Sequence, residues 1–578
     1  MALLNIYSII SSVFFLFGIH FFSKKICSIF YLNKNLYFIS SITLILFLSL
    51  ISYTLNIYDN ENINFIHVII FNFFVVLSFI YFFLKLKSNK FLFRLIGESN
   101  YNKIYFLLIL NLLAACLIPV SDADSIRYHL GQFNNFDFDR SFNLHEKISF
   151  IGDSLNHIAF SNNNLNLTSV LNLACLLKLI NLIKKKLNSN LRLSFISIIL
   201  GIPIYLNLMI SQKPYLWICF SLVYIIYLYY KNYYKQFSSK DNFLIFIFLF
   251  LSLISKPEFL FINSAILAVL IFFYFKNQKN YLIHIFISSF ILIYFLIINF
   301  NVFGDPLKIF LFQGNIGEIN FLNFLKNSDE KLLLLPVLKF FLNLSFPVEY
   351  YSNFTRSLGF AFIFSLFFIN LKRENIPLII LIVILSIINL SNLRISIDEN
   401  HARNYLLIFL ILIMIISNNK VYLKNALVKY IFVSQLIITQ LGLIYYNYEY
   451  YLNNNYNQMA YQFKNEKYIS SLIKNKNDTI ILTEIDGNLF KDYNFLNSDL
   501  YNFAPNLYFN KASKVLQNNE SINNVIIILK KKQKRFQEHL FLTKKMPVYG
   551  RNPFNEKKET FYFYNIESLA FIKLIDEI

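Results

Sequence analysis

Residues 281–300 read YLIHIFISSFILIYFLIINF, an apolar stretch that contains no Asp, Glu, Lys or Arg. A bilayer with a hydrocarbon core of roughly 30 Å needs about 20 such residues to carry one helix across it. Similar stretches recur along the chain, and hydrophobic residues make up 56% of its 578 residues. The mean hydropathy is +0.49. The sequence therefore predicts an α-helical polytopic membrane protein of about 14 transmembrane helices, at residues 4–22, 37–57, 65–84, 104–120, 165–183, 193–210, 214–230, 242–255, 258–275, 281–300, 355–371, 376–391, 404–418 and 427–446.

Lysine and arginine are concentrated in every second loop between these stretches. Lys24 and Lys25 lie in the first loop, and Lys184 to Lys186 lie in the fifth. Short loops rich in these residues remain in the cytoplasm. The net charge of +20 therefore indicates attraction to the inner leaflet, not to nucleic acid. The same rule places both chain termini outside, with the loops at 121–164, 211–213, 255–257, 301–354 and 392–403.

The distribution of polar residues predicts three parts in the chain. Residues 1–103 hold three spans without charge at membrane depth and are interpreted as an accessory transmembrane module. Residues 104–446 form the main transmembrane core, with long outer loops at 121–164 and 301–354. Residues 447–578 are more polar. We expect a small extracytoplasmic α/β domain there, because strand-like runs occur at Thr479–Thr483, Val525–Leu529 and Phe561–Tyr564.

The four cysteines are Cys27, Cys116, Cys175 and Cys219, which lie far apart in or beside apolar stretches. Neither a disulfide framework nor a zinc site has such spacing. We expect these cysteines to be buried as core residues.

A charged decapeptide, Ser121–Leu130 with sequence SDADSIRYHL, follows directly on the apolar residues Pro119 and Val120. If a helix begins at Ser125, Asp124 lies near its N-terminus and Arg127 lies one turn further on, which keeps the carboxylate ionised. Loops as long as 121–164 are usually functional or disordered. The alternative is a solvated helix cap with a local ion pair.

Two further clusters of charge lie at the predicted outer edge. Ser255-Lys256-Pro257-Glu258 interrupts two apolar stretches, and charges so close to hydrocarbon usually mark a pathway or a ligand. The second cluster, RISIDENHARNY at 394–405, contains Arg394, His401 and Arg403, whose cations could hold a phosphate. The alternatives are a plain hairpin turn and ion pairs within a short loop.

The outer carboxylate, the Arg-Tyr pair and the many spans together resemble the GT-C superfamily of polyprenyl-phosphate-sugar-dependent glycosyltransferases. The likeness is to its bacterial mannosyltransferase and aminoarabinose-transferase branch, which carries an Asp-Glu-x-x-Tyr-like motif in the first outer loop. Asp124-Ser125-Ile126-Arg127-Tyr128 matches the aspartate and the tyrosine but has Ser125 at the second acidic position. The string also resembles the D-A-x-x-Y-H-L motif of other bacterial membrane glycosyltransferases, with Asp124, Tyr128, His129 and Leu130 in register.

The resemblance implies an inverting transfer of a sugar from a polyprenyl-phosphate donor to an envelope glycan, lipid or protein acceptor. This reaction would take place on the periplasmic side of the bacterial inner membrane. No cofactor is predicted, and a divalent metal is left open because Asp122 could substitute for the missing acidic residue. The implied catalytic residues are Asp124 and Asp122, and the implied donor-phosphate and substrate residues are Arg127, Tyr128, His129, Lys256, Glu258, Arg394, His401 and Arg403.

Two other classes of function are weighed beside this one. An envelope polysaccharide polymerase or ligase also has many spans and outer loops, and its chemistry relies more on arginines than on one aspartate. A lipid-linked sugar transporter or flippase would carry charges deep within helices and broken spans at matching positions in two halves, and no such pair is apparent in the sequence.

Overall fold

The protein is described from a computed structural model. The structure describes residues 2–58, 63–86, 100–116, 151–162, 164, 166–184, 187, 189–209, 211–275, 281–303, 344–345, 357–367, 369, 371–392, 402–417, 425–451, 471–473, 475, 478–484, 494–496, 501, 505–519, 521–548 and 557–576. These described residues fall into two compact units, and among them the second unit begins at Glu449.

The first unit is built from α-helices, and each of the predicted apolar stretches overlaps one of them. The helices α1–α3 belong to the same compact unit as the helices that follow. The bounds are α1 Ala2–Ile29, α2 Tyr37–Tyr58, α3 Ile63–Leu86, α4 Asn100–Cys116, α5 Ser154–Phe160, α6 Leu167–Lys184, α7 Ser189–Leu200, α8 Tyr205–Leu208, α9 Tyr215–Tyr230, α10 Ser239–Leu253, α11 Pro257–Leu270, α12 Tyr281–Phe303, α13 Phe360–Leu366, α14 Ile376–Asn392, α15 Ala402–Ser417 and α16 Ala426–Tyr451.

Within the described residues, 7 helical segments are long and apolar enough to cross a membrane. Large apolar side chains on them, such as Phe286 and Phe290 of α12, are exposed, as expected of a surface in contact with lipid. The helical membrane class is thereby supported, and the number of about 14 spans stays a prediction. The segments are Tyr7–Ile29, Lys34–Leu55, Phe65–Phe82, Leu167–Lys184, Glu258–Phe275, Tyr281–Asn301 and Ala426–Tyr445.

The predicted span at 193–210 is broken into α7 and α8 around Gly201. Pro203 cannot donate a backbone hydrogen bond to a continuing helix. Gly201 packs against α16 so closely that an added Cβ would lie 3.0 Å from the backbone nitrogen of Leu436. Two side chains of α16 satisfy the carbonyl oxygen left free at the break. Gln435 Nε2 donates to Gly201 O at 2.9 Å, and Thr439 Oγ1 donates to the same oxygen at 2.7 Å.

Gln435 also satisfies the start of α13. Its Oε1 accepts from Ala361 N at 2.7 Å, and its Nε2 lies 3.3 Å from Leu358 O. Gly359 precedes this helix with φ of 80°, in the left-handed region that favours glycine. One buried amide therefore serves two helix ends.

Replacing Gln435 by Leu is expected to destabilise the first unit, since buried carbonyl and N–H groups would lose their partner. Each unsatisfied buried group costs about 1–3 kcal/mol. Thermal unfolding of the purified protein in detergent measures this loss. The graded control is Thr439→Val, which should lower the unfolding temperature less because Gly201 O keeps its bond to Gln435. A Gln435→Leu protein as stable as wild type would contradict this account.

The amino-terminal helices are joined to the rest of the unit by polar contacts as well as by packing. Ser8 Oγ and Ser12 Oγ of α1 donate to Asn164 Oδ1 at 2.8 Å and 3.0 Å. In return, Asn164 Nδ2 donates to Ser8 O at 2.8 Å. At Gly18, α1 approaches the backbone of Phe74 in α3 so closely that no side chain would fit. The helices α1–α3 thus share one core with the later helices.

The second unit contains a five-stranded sheet with strand order β2-β1-β3-β5-β4. Strands β1 and β2, and β1 and β3, pair in parallel, whereas β5 is antiparallel to both β3 and β4. The predicted small α/β domain is confirmed, and the predicted runs form β1, β3 and β5. The bounds are β1 Thr479–Thr483, β2 Asn494–Leu496, α17 Pro505–Gln517, β3 Asn524–Leu529, β4 Leu540–Val548, β5 Lys557–Glu567 and α18 Ser568–Asp576.

The two faces of this sheet are both covered by apolar side chains. Tyr508 and Phe509 of α17 and Phe571 of α18 pack with Phe536 and Tyr564 in one cluster. A smaller cluster on the other face contains Ile481, Ile526, Ile528, Met546 and Phe561. Successive residues of a strand point to opposite faces, so the two apolar faces account for the continuous apolar runs of β1 and β3.

A partly buried carboxyl group lies where the parallel strands end. Glu484 directly follows β1, and its Oε1 accepts from the backbone nitrogen of Lys530, which directly follows β3, at 2.7 Å. Burial raises the pKa of Glu484 above its usual value, against the opposing effect of the bond from Lys530. The folded protein therefore binds this proton more tightly than the unfolded chain. The contribution of this proton to the free energy of unfolding is fully present below the pKa that Glu484 has in the unfolded chain. It is lost as the pH rises through the pKa of Glu484 in the folded protein.

Replacing Glu484 by Gln keeps an acceptor for the Lys530 N–H and removes the charge. The variant is expected to gain stability over wild type, and the gain should be larger at about pH 7 than at about pH 4. Hydrogen exchange of peptides that cover β1 and β3 in the full-length protein measures the difference. Glu538→Gln, an exposed carboxyl in the same unit, is the matched charge control. Equal gains at both pH values would show that Glu484 does not titrate in this range.

Candidate functional site: a buried charged cluster at the ends of α9, α11 and α15

Three loops that the sequence places on the same side of the membrane pack against one another. Gly152 N donates to Ser255 O at 3.1 Å, and Asn156 Nδ2 donates to Gln212 O at 2.9 Å. A side chain at position 152 would lie 2.8 Å from both Pro214 and Ser255 O, so the close approach requires glycine. The ends of α5, α9 and α11 are thereby held together.

Lys256 and Glu258 form an ion pair at the start of α11. Lys256 Nζ lies 3.1 Å from Glu258 Oε1, and the two side chains are 11% and 24% exposed. The local sequence explains this geometry. Lys256 is extended at the N-cap, Pro257 occupies the first helical turn, and Glu258 adds a negative charge at the positive end of the helix. The ammonium group also lies 5.6 Å from the centroid of the Tyr215 ring in α9.

Arg403, in the first turn of α15, lies close enough to interact electrostatically with Lys256, Glu258 and Tyr215. Asp153, the residue before α5, also acts on Lys256. Burial lowers the pKa of Lys256, whereas Glu258 raises it and Arg403 lowers it further. Residues from α5, α9, α11 and α15 therefore meet in one cluster of two cations, two carboxylates and an aromatic ring.

Two polar atoms of this cluster, Glu258 Oε2 and Arg403 Nε, are buried without a hydrogen-bond partner among the described residues. The Tyr215 hydroxyl is hydrogen-bonded to the side chain of Cys219. Buried polar groups are almost always satisfied, and an unsatisfied one costs about 1–3 kcal/mol. A donor from arginine beside a lysine ammonium is an arrangement that recognises a phosphate or a carboxylate. The cluster can therefore bind an anionic group and stabilise negative charge that develops on it.

The structure brings together three of the residues that the sequence singled out, Lys256, Glu258 and Arg403. Asp153 and Tyr215 join them and were not predicted as site residues. Tyr215 lies two residues after the predicted outer loop at 211–213, a position that by itself does not mark it as a site residue. The other predicted site residues lie outside the described residues, namely Asp122, Asp124, Arg127, Tyr128, His129, Arg394 and His401.

The described residues contain no group of three or more His, Cys, Asp or Glu side chains that could hold a metal ion. The four cysteines are buried and form no disulfide, as their spacing predicted. No family model, curated protein or solved structure matches the chain. The fold and the cluster thus define a helical membrane protein with a small α/β domain and a buried, charged, phosphate-compatible site.

Replacing Glu258 by Gln would leave Lys256 and Arg403 buried with less compensating charge. Breaking a buried ion pair in this way is expected to cost about 3–5 kcal/mol. Thermal unfolding in detergent should show this as a lower midpoint than that of Glu374→Gln, an exposed carboxyl in the same unit. Adding Lys256→Met to Glu258→Gln should restore part of the loss, since charges of both signs are then removed. If the double variant is less stable than the single one, the pairing of these charges does not govern stability here.

Proposed function

We propose that the protein is a GT-C-like membrane glycosyltransferase that uses a polyprenyl-phosphate-linked sugar. It transfers the sugar, with inversion, to a glycan, lipid or protein acceptor of the bacterial envelope, on the periplasmic side of the inner membrane. The observation that carries the proposal is the meeting of Lys256 and Arg403, contributed by different helices, in one buried cluster beside the predicted outer loops.

The chemistry of the donor calls for such a cluster. When the bond between the anomeric carbon and the phosphate oxygen breaks, a phosphodiester becomes a monoester and gains negative charge. Preorganised positive groups at that position are often the largest single contribution to catalysis. Arg403 and Lys256 supply these cations, with Arg403 Nε buried and not engaged in a hydrogen bond. Glu258 neutralises Lys256 before the donor binds.

The remaining roles come from the resemblance of 124–130 to the family motif. The acceptor hydroxyl oxygen attacks the anomeric carbon and its proton passes to Asp124, while polyprenyl phosphate leaves with the electron pair of the broken bond. Asp122 supports Asp124, and Arg127, Tyr128, His129, Arg394 and His401 contact the donor or the acceptor. The prenyl chain lies against apolar helices whose side chains already face lipid.

Replacing Asp124 by Asn is expected to lower transfer by about 100- to 10,000-fold, the usual contribution of a general base. Arg403→Gln should lower it by about 100- to 1,000-fold, since a charge-stabilising donor is lost. The measurement is release of polyprenyl phosphate from a panel of synthetic polyprenyl-phosphate sugars by the purified protein in nanodiscs. Glu374→Gln is the control and should retain full activity.

The same assay separates the proposal from its alternatives. Transfer that survives Asp124→Asn but fails in Arg394 and Arg403 variants would instead indicate a polymerase or ligase that depends on arginines. Movement of the lipid-linked sugar across vesicle membranes without release of polyprenyl phosphate would indicate a flippase. Either result would overturn the glycosyltransferase assignment.

A further inference from the structure

A second concentration of positive charge lies in the first unit, around a cavity of about 480 Å³. Lys34, Lys178, Lys184 and Arg192 line it, together with His20 and Tyr224. Residues of α1, α2, α6, α7 and α9 and of the turn before α2 therefore contribute to its wall. Of the described residues that line this cationic cavity, none is Asp or Glu.

Local contacts hold two of the cations in place. Arg192 Nε donates to Leu187 O at 2.9 Å, which anchors the guanidinium group. Lys184 Nζ lies 4.8 Å from the centroid of the Tyr105 ring. The nearby carboxylate of Asp241 does not line the cavity, and its oxygens accept from Asn33 N and Ser238 N, each at 2.8 Å. The described lining of the cavity thus carries four Lys and Arg side chains, two of which are held by these contacts.

The cavity lies at the depth where lipid headgroups are found. Lys34 begins the candidate span Lys34–Leu55, and Lys184 ends the candidate span Leu167–Lys184. Because one span begins and another ends at residues that line the cavity, the cavity lies at one edge of the hydrocarbon layer. Tyr37, Phe38 and Tyr224 also line the wall, and aromatic side chains are enriched at this interface.

We propose that the cationic cavity binds the phosphate of an anionic lipid headgroup. Basic pockets between transmembrane helices bind such headgroups, and each Lys or Arg near an anionic membrane surface contributes roughly a fivefold gain in affinity. Lys34, which is exposed, and Arg192 contact the phosphate first, and the aromatic residues contact the upper part of the acyl chains. This site is separate from the Lys256 cluster and does not depend on the proposed sugar transfer.

The test uses the full-length protein and phosphatidylglycerol. Native mass spectrometry of the protein with added phosphatidylglycerol should show retained lipid, and the Lys34→Gln/Arg192→Gln variant should show an affinity lower by about 25-fold. Lys34→Gln alone, at an exposed position where misfolding is not expected, should lower it by about fivefold. The matched control is Lys24→Gln/Lys25→Gln, which removes the same charge from exposed residues that do not line the cavity.

Equal loss of lipid in the cavity variant and in the control would overturn the proposal, because it would indicate attraction to the membrane surface as a whole. A second arm replaces the lipid with inorganic phosphate. If phosphate alone stabilises the wild-type protein against heat to the same extent as phosphatidylglycerol, the cavity binds a free anion and the lipid assignment is wrong. Stabilisation by the lipid alone, lost in the cavity variant, supports it.

Discussion

The lack of water inside a bilayer requires each backbone N–H and C=O group there to find a partner within the protein. Unbroken helices meet this requirement without side chains. Where the chain departs from a helix, a side chain must provide the bonds. Gln435 does so for the break after Gly201 and for the start of α13 at Ala361, and Asn164 does so between α1 and α6. These side-chain amides allow short and broken helices in the first unit. The charged cluster lies at the ends of such helices, so its geometry depends on how those ends are satisfied.

The buried charges of the cluster also need partners within the protein, and leaving a charge unpaired costs more free energy than leaving a backbone group unpaired. Lys256, Glu258 and Arg403 come from two helices that are distant in sequence, and each would be costly to bury alone. The ion pair at 3.1 Å compensates two of them, whereas Arg403 Nε and Glu258 Oε2 have no hydrogen-bond partner. Unsatisfied buried groups of this kind lower the stability of the folded protein. They are found at sites where a ligand supplies the missing hydrogen bonds. The cationic cavity differs, since Lys34 on its wall is exposed and water can solvate a charge there.

Much of this architecture could be predicted from local sequence. Apolar length identified the helices, and short strand-like runs of β-branched and aromatic residues identified β1, β3 and β5. The interruption of an apolar stretch by Lys256 and Glu258 also marked the cluster. Contacts between distant segments could not be predicted in this way. Tyr215 is one of many tyrosines, and only the fold places it beside Lys256. Gly201 and Pro203 are helix-breaking residues that mark this break in the sequence, but the partner that satisfies it lies 234 residues further along the chain.

The link between α1 and Asn164 has a consequence for how the protein is made. Ser8 and its partner are 156 residues apart in the chain. A ribosome that adds about 5–20 residues per second needs roughly 8–30 s to cover that distance. Throughout this interval the first helix is already in the membrane with its serine hydroxyls lacking their final acceptor. During it, Ser12 Oγ can still donate within α1 to Ser8 O, the bond it makes at 2.7 Å in the folded protein, so the helix tolerates the delay until Asn164 is synthesised.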